Sequence, residues 1–151
     1  MLVIVAAAAA SCSTSETTPT ATQPVPPCEE PPAFSTFEPG AVWSYETRPG
    51  EESSTFTVRC IEADADGGRI IHVELEGVSI ATAGQPAESI GHLPISEDTL
   101  TSDLGERVGL DEGRPSESFV NGYTDWRDAA GGVWTIPLSE ILDAIEGAVG
   151  N

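Results

Sequence analysis

Three polar side chains of chemically useful types alternate along one predicted strand. His72, Glu74 and Glu76 are separated by single apolar residues, and side chains two positions apart on a strand project from the same face. Imidazole and carboxylate groups together bind zinc or another divalent ion, and His92 adds a fourth ligand to the set. Alternating polar residues are also what the solvated face of an antiparallel sheet requires, and that interpretation is the simpler one.

Glu74 and Glu76 also suggest acid–base chemistry. Carboxylates two residues apart on a strand lie roughly 7 Å from one another, a separation that a hydrolase acting on a glycan uses. The spacings of the common catalytic motifs are missing, and the absence of lysine excludes Schiff-base chemistry. The sequence therefore favours a non-catalytic binding module, for which no cofactor is expected, with a metal protein or hydrolase using His72, Glu74 and Glu76 as the alternative.

The elements that position these residues begin with strands. Residues 42–47, 55–61 and 71–75 each alternate in polarity, and turn residues separate them, which predicts a three-stranded antiparallel meander. In the second strand, strict alternation places Phe56, Val58 and Cys60 on one face. The apolar parity shifts after Gly77, which indicates a bulge or bend there.

The second half of the chain reads as mainly helical. Ser96 is a helix cap followed by acidic residues, residues 105–118 have the composition of an exposed loop, and residues 133–136 form a short strand. Helical spacing recurs before residue 131, and again from Leu138 onwards, with Pro137 in the first turn. The predicted class is α+β, an antiparallel β-meander sheet with two or three short helices packed on one face.

Aromatic residues supply a further candidate surface. Their rings can line a groove for a peptide or a sugar, but their spacing also fits strand and helix faces turned towards the core. They are Trp43, Tyr45, Tyr123, Trp126 and Trp134.

The N-terminus has the features of a targeting signal. An uncharged apolar run over residues 2–10 ends in Ala-Ser and then Cys12, and this pattern resembles the lipobox of bacterial lipoproteins. The resemblance implies a signal peptide over residues 1–11, cleavage before Cys12 and a lipid on its side chain. An ordinary signal peptide cut after Ala10, or a buried apolar end, are the alternatives.

A tether and one domain follow the predicted anchor. Residues 12–32 are rich in Ser, Thr and Pro and poor in large apolar groups, which is typical of an extended linker, and residues 33–151 form a single globular domain. With Cys12 assigned to the lipid, Cys28 and Cys60 remain as a disulfide in an oxidising compartment. Two unpaired thiols, with Cys60 buried, are the other possibility.

The charge balance limits the partners. The chain has 25 acidic residues against 6 arginines and no lysine, for a formal net charge of −19. Such a surface repels nucleic acid and anionic lipid and attracts cations or basic partners. The expected contacts are therefore the membrane, through the lipid on Cys12, and an envelope protein, peptide or glycan on its extracytoplasmic face.

Four segments carry a second resemblance, at residues 47–52, 71–73, 90–94 and 122–127. They resemble pieces of small uncharacterised bacterial proteins. The resemblance implies a single domain and no particular chemistry.

Overall fold

Alternating and helical segments form the elements of an α+β fold, as predicted. The computed structural model describes residues 35–150. In chain order the elements are β1 Ala41–Tyr45, β2 Thr55–Ala63, β3 Arg69–Ile80, β4 Ala87–Ser96, α1 Glu97–Ser102, β5 Leu104–Leu110, α2 Glu117–Asp128 and α3 Leu138–Val149.

One antiparallel sheet organises these elements, with strand order β4-β3-β2-β1-β5. The first four strands form a meander in which each pairs with the next. The three predicted strands are confirmed, and β4 adds the fourth. After α1 the chain crosses to the far edge of the sheet, where β5 pairs with β1.

The main core lies on the face that carries Val73. Alternation along β2 and β3 turns every second side chain, most of these apolar, towards α1 and α3. The strand residues of this core include Phe56, Val58, Ile61, Ile71, Val73 and Leu75, and the helix residues are Leu100, Leu138, Ile141 and Leu142. Two helices therefore pack on one face of the sheet.

The part of the opposite face that carries Cys60 and His72 is not solvated, because α2 covers it. Phe119 and Tyr123 of α2 are buried there together with Cys60. The predicted grouping of Cys60 with Phe56 and Val58 is wrong, since the register between β2 and β3 shifts after Val58. This bulge reverses the facing of the residues that follow it and moves Cys60 to the α2 side.

The sequence predictions for a bend and for a helix cap agree with the structure. Gly77 has a φ of +76° where the β3–β4 register shifts, which confirms the predicted bend. Ser96 caps α1 by accepting a hydrogen bond from the Thr99 N–H at 3.4 Å.

Two predicted segments differ from the structure. Residues 105–118 were expected to be a loop, yet they contain most of β5 and the first residues of α2. The strand is exposed along nearly its whole length, and its apolar residues are interspersed with glycines and charged residues, so its hydrogen bonds to β1 define it. Residues 133–136 form only one isolated bridge, between Ile95 and Trp134.

Close contact between α2 and β4 depends on Gly122. A Cβ at this position would lie 2.7 Å from the Cβ of His92, well inside van der Waals contact. We expect Gly122→Ala to lower the free energy of unfolding by about 1–2 kcal/mol, because overpacking outweighs the higher helix propensity of alanine. Urea denaturation followed by circular dichroism measures the change.

Gly147 provides a matched control in α3. A Cβ there meets no atom within 4 Å, so Gly147→Ala should raise the free energy of unfolding by up to about 1 kcal/mol. Equal effects of the two substitutions would contradict the tight packing assigned to Gly122.

Several sequence predictions lie outside the described residues. They are the signal peptide of residues 1–11, the lipid on Cys12, the tether of residues 12–32 and the Cys28 end of the disulfide. Cys60 itself is fully buried, and its bond to Cys28 stays a prediction. Of the helices in residues 35–150, none combines the length and apolar character needed to cross a bilayer.

Candidate binding site

The two histidines of the chain meet between the sheet and α2. His72 on β3 and His92 on β4 stack with ring centroids 5.2 Å apart, and Nδ1 of His72 lies 2.9 Å from Nε2 of His92. Tyr123 and Trp126 close the pair from the helix side, with centroids 5.1 and 4.8 Å from the ring of His72. The sequence predicted that the histidines belong to one site, and the structure brings them together.

The carboxylate of Glu62 lies close to this pair. The Tyr123 hydroxyl donates a hydrogen bond to Glu62, whose other oxygen lies 3.7 Å from Nε2 of His72. That distance is too long for a hydrogen bond, and within residues 35–150 this buried nitrogen has no partner. The negative charge of Glu62 nevertheless favours a proton on Nε2 of His72. We therefore assign Nδ1 of His72 as the acceptor and Nε2–H of His92 as the donor.

Both rings are neutral at physiological pH. Burial, together with the repulsion that a protonated His92 would exert, lowers the pKa of His72 from 6.5 to about 3. Burial also lowers the pKa of His92, to about 4. Burial and the hydrogen bond to Glu62 raise the pKa of Tyr123 to about 12, so its hydroxyl stays protonated and remains a donor.

His92 connects the buried pair to a surface groove of about 410 Å³. The groove lies between the end of β4 and the segment that follows α2. Its lining consists of His92, Leu93, Pro94, Trp126, Gly132, Val133 and Trp134. Apart from the imidazole and the two indoles, these side chains are aliphatic or absent, so the groove is mainly apolar and aromatic.

Hydrogen bonds hold the two tryptophans of the groove in place. The indole N–H of Trp126 donates to the carbonyl of Gly132 at 2.8 Å. The backbone of Trp134 bonds to β4 on both sides, donating to the Pro94 carbonyl at 2.9 Å and accepting from the Ser96 N–H at 3.0 Å. The groove therefore exists before any ligand arrives.

Glu74 and Glu76 are not brought to the histidine pair. Glu74 is buried and accepts hydrogen bonds from Arg59 and from both the N–H and the hydroxyl of Ser116, the cap of α2. Glu76 is exposed. Among residues 35–150, no three His, Cys, Asp or Glu side chains come together in an arrangement suited to a metal ion.

Sequence reasoning missed Glu62. It stands after the β2 bulge, where strict alternation no longer tells which face a side chain occupies. The adjacent apolar residues Cys60 and Ile61 mark the break in alternation, and they are the signal that could have revealed it. Trp126 and Trp134 were identified as groove candidates although their spacing also fitted the core. Both are only partly buried.

Comparisons with known proteins assign no relative. No protein-family model, curated protein or solved structure matches the chain.

Proposed function

We propose that this chain is a lipid-anchored, non-catalytic binding module on the extracytoplasmic face of a bacterial membrane. The lipobox-like pattern before Cys12 and the tether of residues 12–32 support this location at the membrane. The groove between Trp126 and Trp134 supports the binding role and is the observation on which the proposal depends. An envelope protein, peptide or glycan is the class of partner expected there.

A pre-formed aromatic groove suits binding. Indole rings offer large contact areas with few rotatable bonds, and hydrogen bonds already restrict the ring of Trp126 and the backbone of Trp134. Little ordering remains for a ligand to impose, so most of the contact energy contributes to affinity. The buried carboxylate of Glu74 meanwhile holds α2 in place, which favours a structural role for it over acid–base chemistry.

Binding to isolated cell envelopes tests the proposal. The Cys12→Ser chain lacks the lipid site, so its retention reports partner binding without membrane insertion. We expect saturable binding that falls about tenfold in Cys12→Ser/Trp134→Ala, because an aromatic anchor in a pocket typically contributes at least 1–2 kcal/mol. Sedimentation of envelopes with labelled protein measures it.

Val149 supplies the matched control, since its side chain is apolar and 43% exposed but lies on α3, away from the groove. Cys12→Ser/Val149→Ala should bind as tightly as Cys12→Ser alone. Absence of saturable retention, or equal retention of the Trp134→Ala variant, would contradict the proposal.

A further inference from the structure

We infer that the groove between Trp126 and Trp134 receives a cationic side chain, lysine or arginine, from a basic segment of a partner protein. This inference rests on the proposed binding function and names the chemistry of its ligand. Three features of the domain support it: its net negative charge, the aromatic walls of the groove and the neutral state of His92.

The charge of the domain favours a cationic ligand. The chain carries a formal charge of −19, and of its acidic residues only Glu16, Glu29 and Glu30 lie outside residues 35–150. Four of the six arginines already form ion pairs with carboxylates inside the domain: Arg48, Arg59, Arg69 and Arg107. The groove lining itself has no charged side chain that would repel a cation. A basic segment is therefore drawn to this surface by the field of the whole domain.

The walls of the groove suit an ammonium or guanidinium group on an aliphatic stem. The faces of tryptophan rings are the strongest cation–π partners among the side chains, and Leu93 and Val133 offer apolar contacts to the stem. His92 is neutral, so its imidazole does not repel a cation.

A sugar fits this lining less well. Glycan sites combine an aromatic platform with several polar side chains that bond the hydroxyl groups, as small-molecule sites do generally. Here His92 is the single lining side chain outside the tryptophans that offers a polar atom, and the indole N–H of Trp126 already donates to Gly132.

The test uses a short synthetic peptide in which lysine and arginine alternate with glycine and serine. Its matched partner replaces lysine by norleucine and arginine by citrulline, which keep the stems and remove the charges. The full-length chain, in an uncharged detergent, is titrated with each peptide. The indole N–H resonances of the three tryptophans report the place of binding.

We expect the charged peptide to shift the signals of Trp126 and Trp134 and to leave that of Trp43 unchanged. The neutral peptide should bind about tenfold more weakly, as loss of a cation–π contact and of charge attraction implies. Trp134→Ala should weaken the charged peptide about fivefold or more, whereas Glu76→Gln, which removes one exposed negative charge, should change its affinity less than twofold.

Equal affinity for the two peptides would overturn the inference, and so would binding of the charged peptide without a response at Trp126 and Trp134. If envelope binding depends on Trp134 while the peptide test fails, the proposed function stands and the basic ligand is rejected. If envelope binding is also absent, the proposed function fails as well.

Discussion

Acidification from pH 8 to pH 4.5 is expected to lower the free energy of unfolding by about 5 kcal/mol through His72 and His92 alone. Both pKa values are lowered in the folded domain, to about 3 and about 4, from 6.5. Above pH 6.5 the two residues are neutral in both states and contribute no pH dependence. As the pH falls below 6.5, the two histidines become protonated in the unfolded chain but stay neutral in the folded domain. The free energy of unfolding therefore decreases.

The slope of the free energy of unfolding against pH tests this prediction. Between pH 6 and pH 4.5 the unfolded chain binds between one and two more protons than the folded domain, so stability should fall by about 2 to 2.5 kcal/mol per pH unit. The carboxyl groups of Glu51 and Glu97 have lowered pKa values, so their contribution is lost as the pH falls through and below the usual 4.5. The histidines therefore account for most of the loss of stability between pH 6 and pH 4.5. Urea denaturation at closely spaced pH values, followed by tryptophan fluorescence, gives the slope.

Replacing one histidine should halve that slope. In His72→Phe only His92 remains to titrate, and in His92→Phe only His72 remains, so each variant should lose about 1 kcal/mol per pH unit. The slope is compared within each variant, which makes the result independent of its stability at neutral pH. A wild-type slope near zero from pH 6 to pH 4.5 would show that the pair is protonated in the folded domain.

Glu74→Gln is expected to lower the free energy of unfolding by about 2–3 kcal/mol. The carboxylate is buried and accepts hydrogen bonds from Arg59 and from two donors of Ser116, which links the sheet to the start of α2. An amide keeps one acceptor but turns an N–H₂ group towards the guanidinium. Arg59 retains a bond to Asp111 at 2.8 Å, which limits the loss.

Glu76→Gln is the control for that substitution. The two glutamates are two residues apart on β3, but Glu76 is exposed, so its replacement should change stability by less than about 0.5 kcal/mol. Urea denaturation at pH 7.5 compares the two variants. Similar values would mean that the network around Glu74 contributes no more than a surface charge.

Local sequence signals predicted much of the sheet. Val73 and its neighbours alternate strictly, so β3 and its inward face were readable without any tertiary information. The cap at Ser96 and the bend at Gly77 depend on the properties of single residues, and both are confirmed. β5 could not be read because its side chains are exposed and only its backbone pairing with β1 defines it.

Some features of the candidate site were likewise predictable from the sequence, and others depended on tertiary packing. The alternation of His72, Glu74 and Glu76 correctly placed them on one face, and it suggested that this face is solvated. Whether a second layer covers a polar face depends on where a distant helix packs, and α2 packs there. The covering helix buries His72 completely and keeps Glu74 mostly from solvent.

Sequence by itself determined the α+β class, the three central strands, the cap at Ser96 and the chemical types available to the site. Tertiary structure alone decided that His72 meets His92, that Glu62 faces them and that Trp126 and Trp134 frame a groove. The reason is physical. Strand and helix periods follow from interactions between neighbours along the chain, whereas burial, protonation state and groove shape follow from contacts between elements that are remote in sequence.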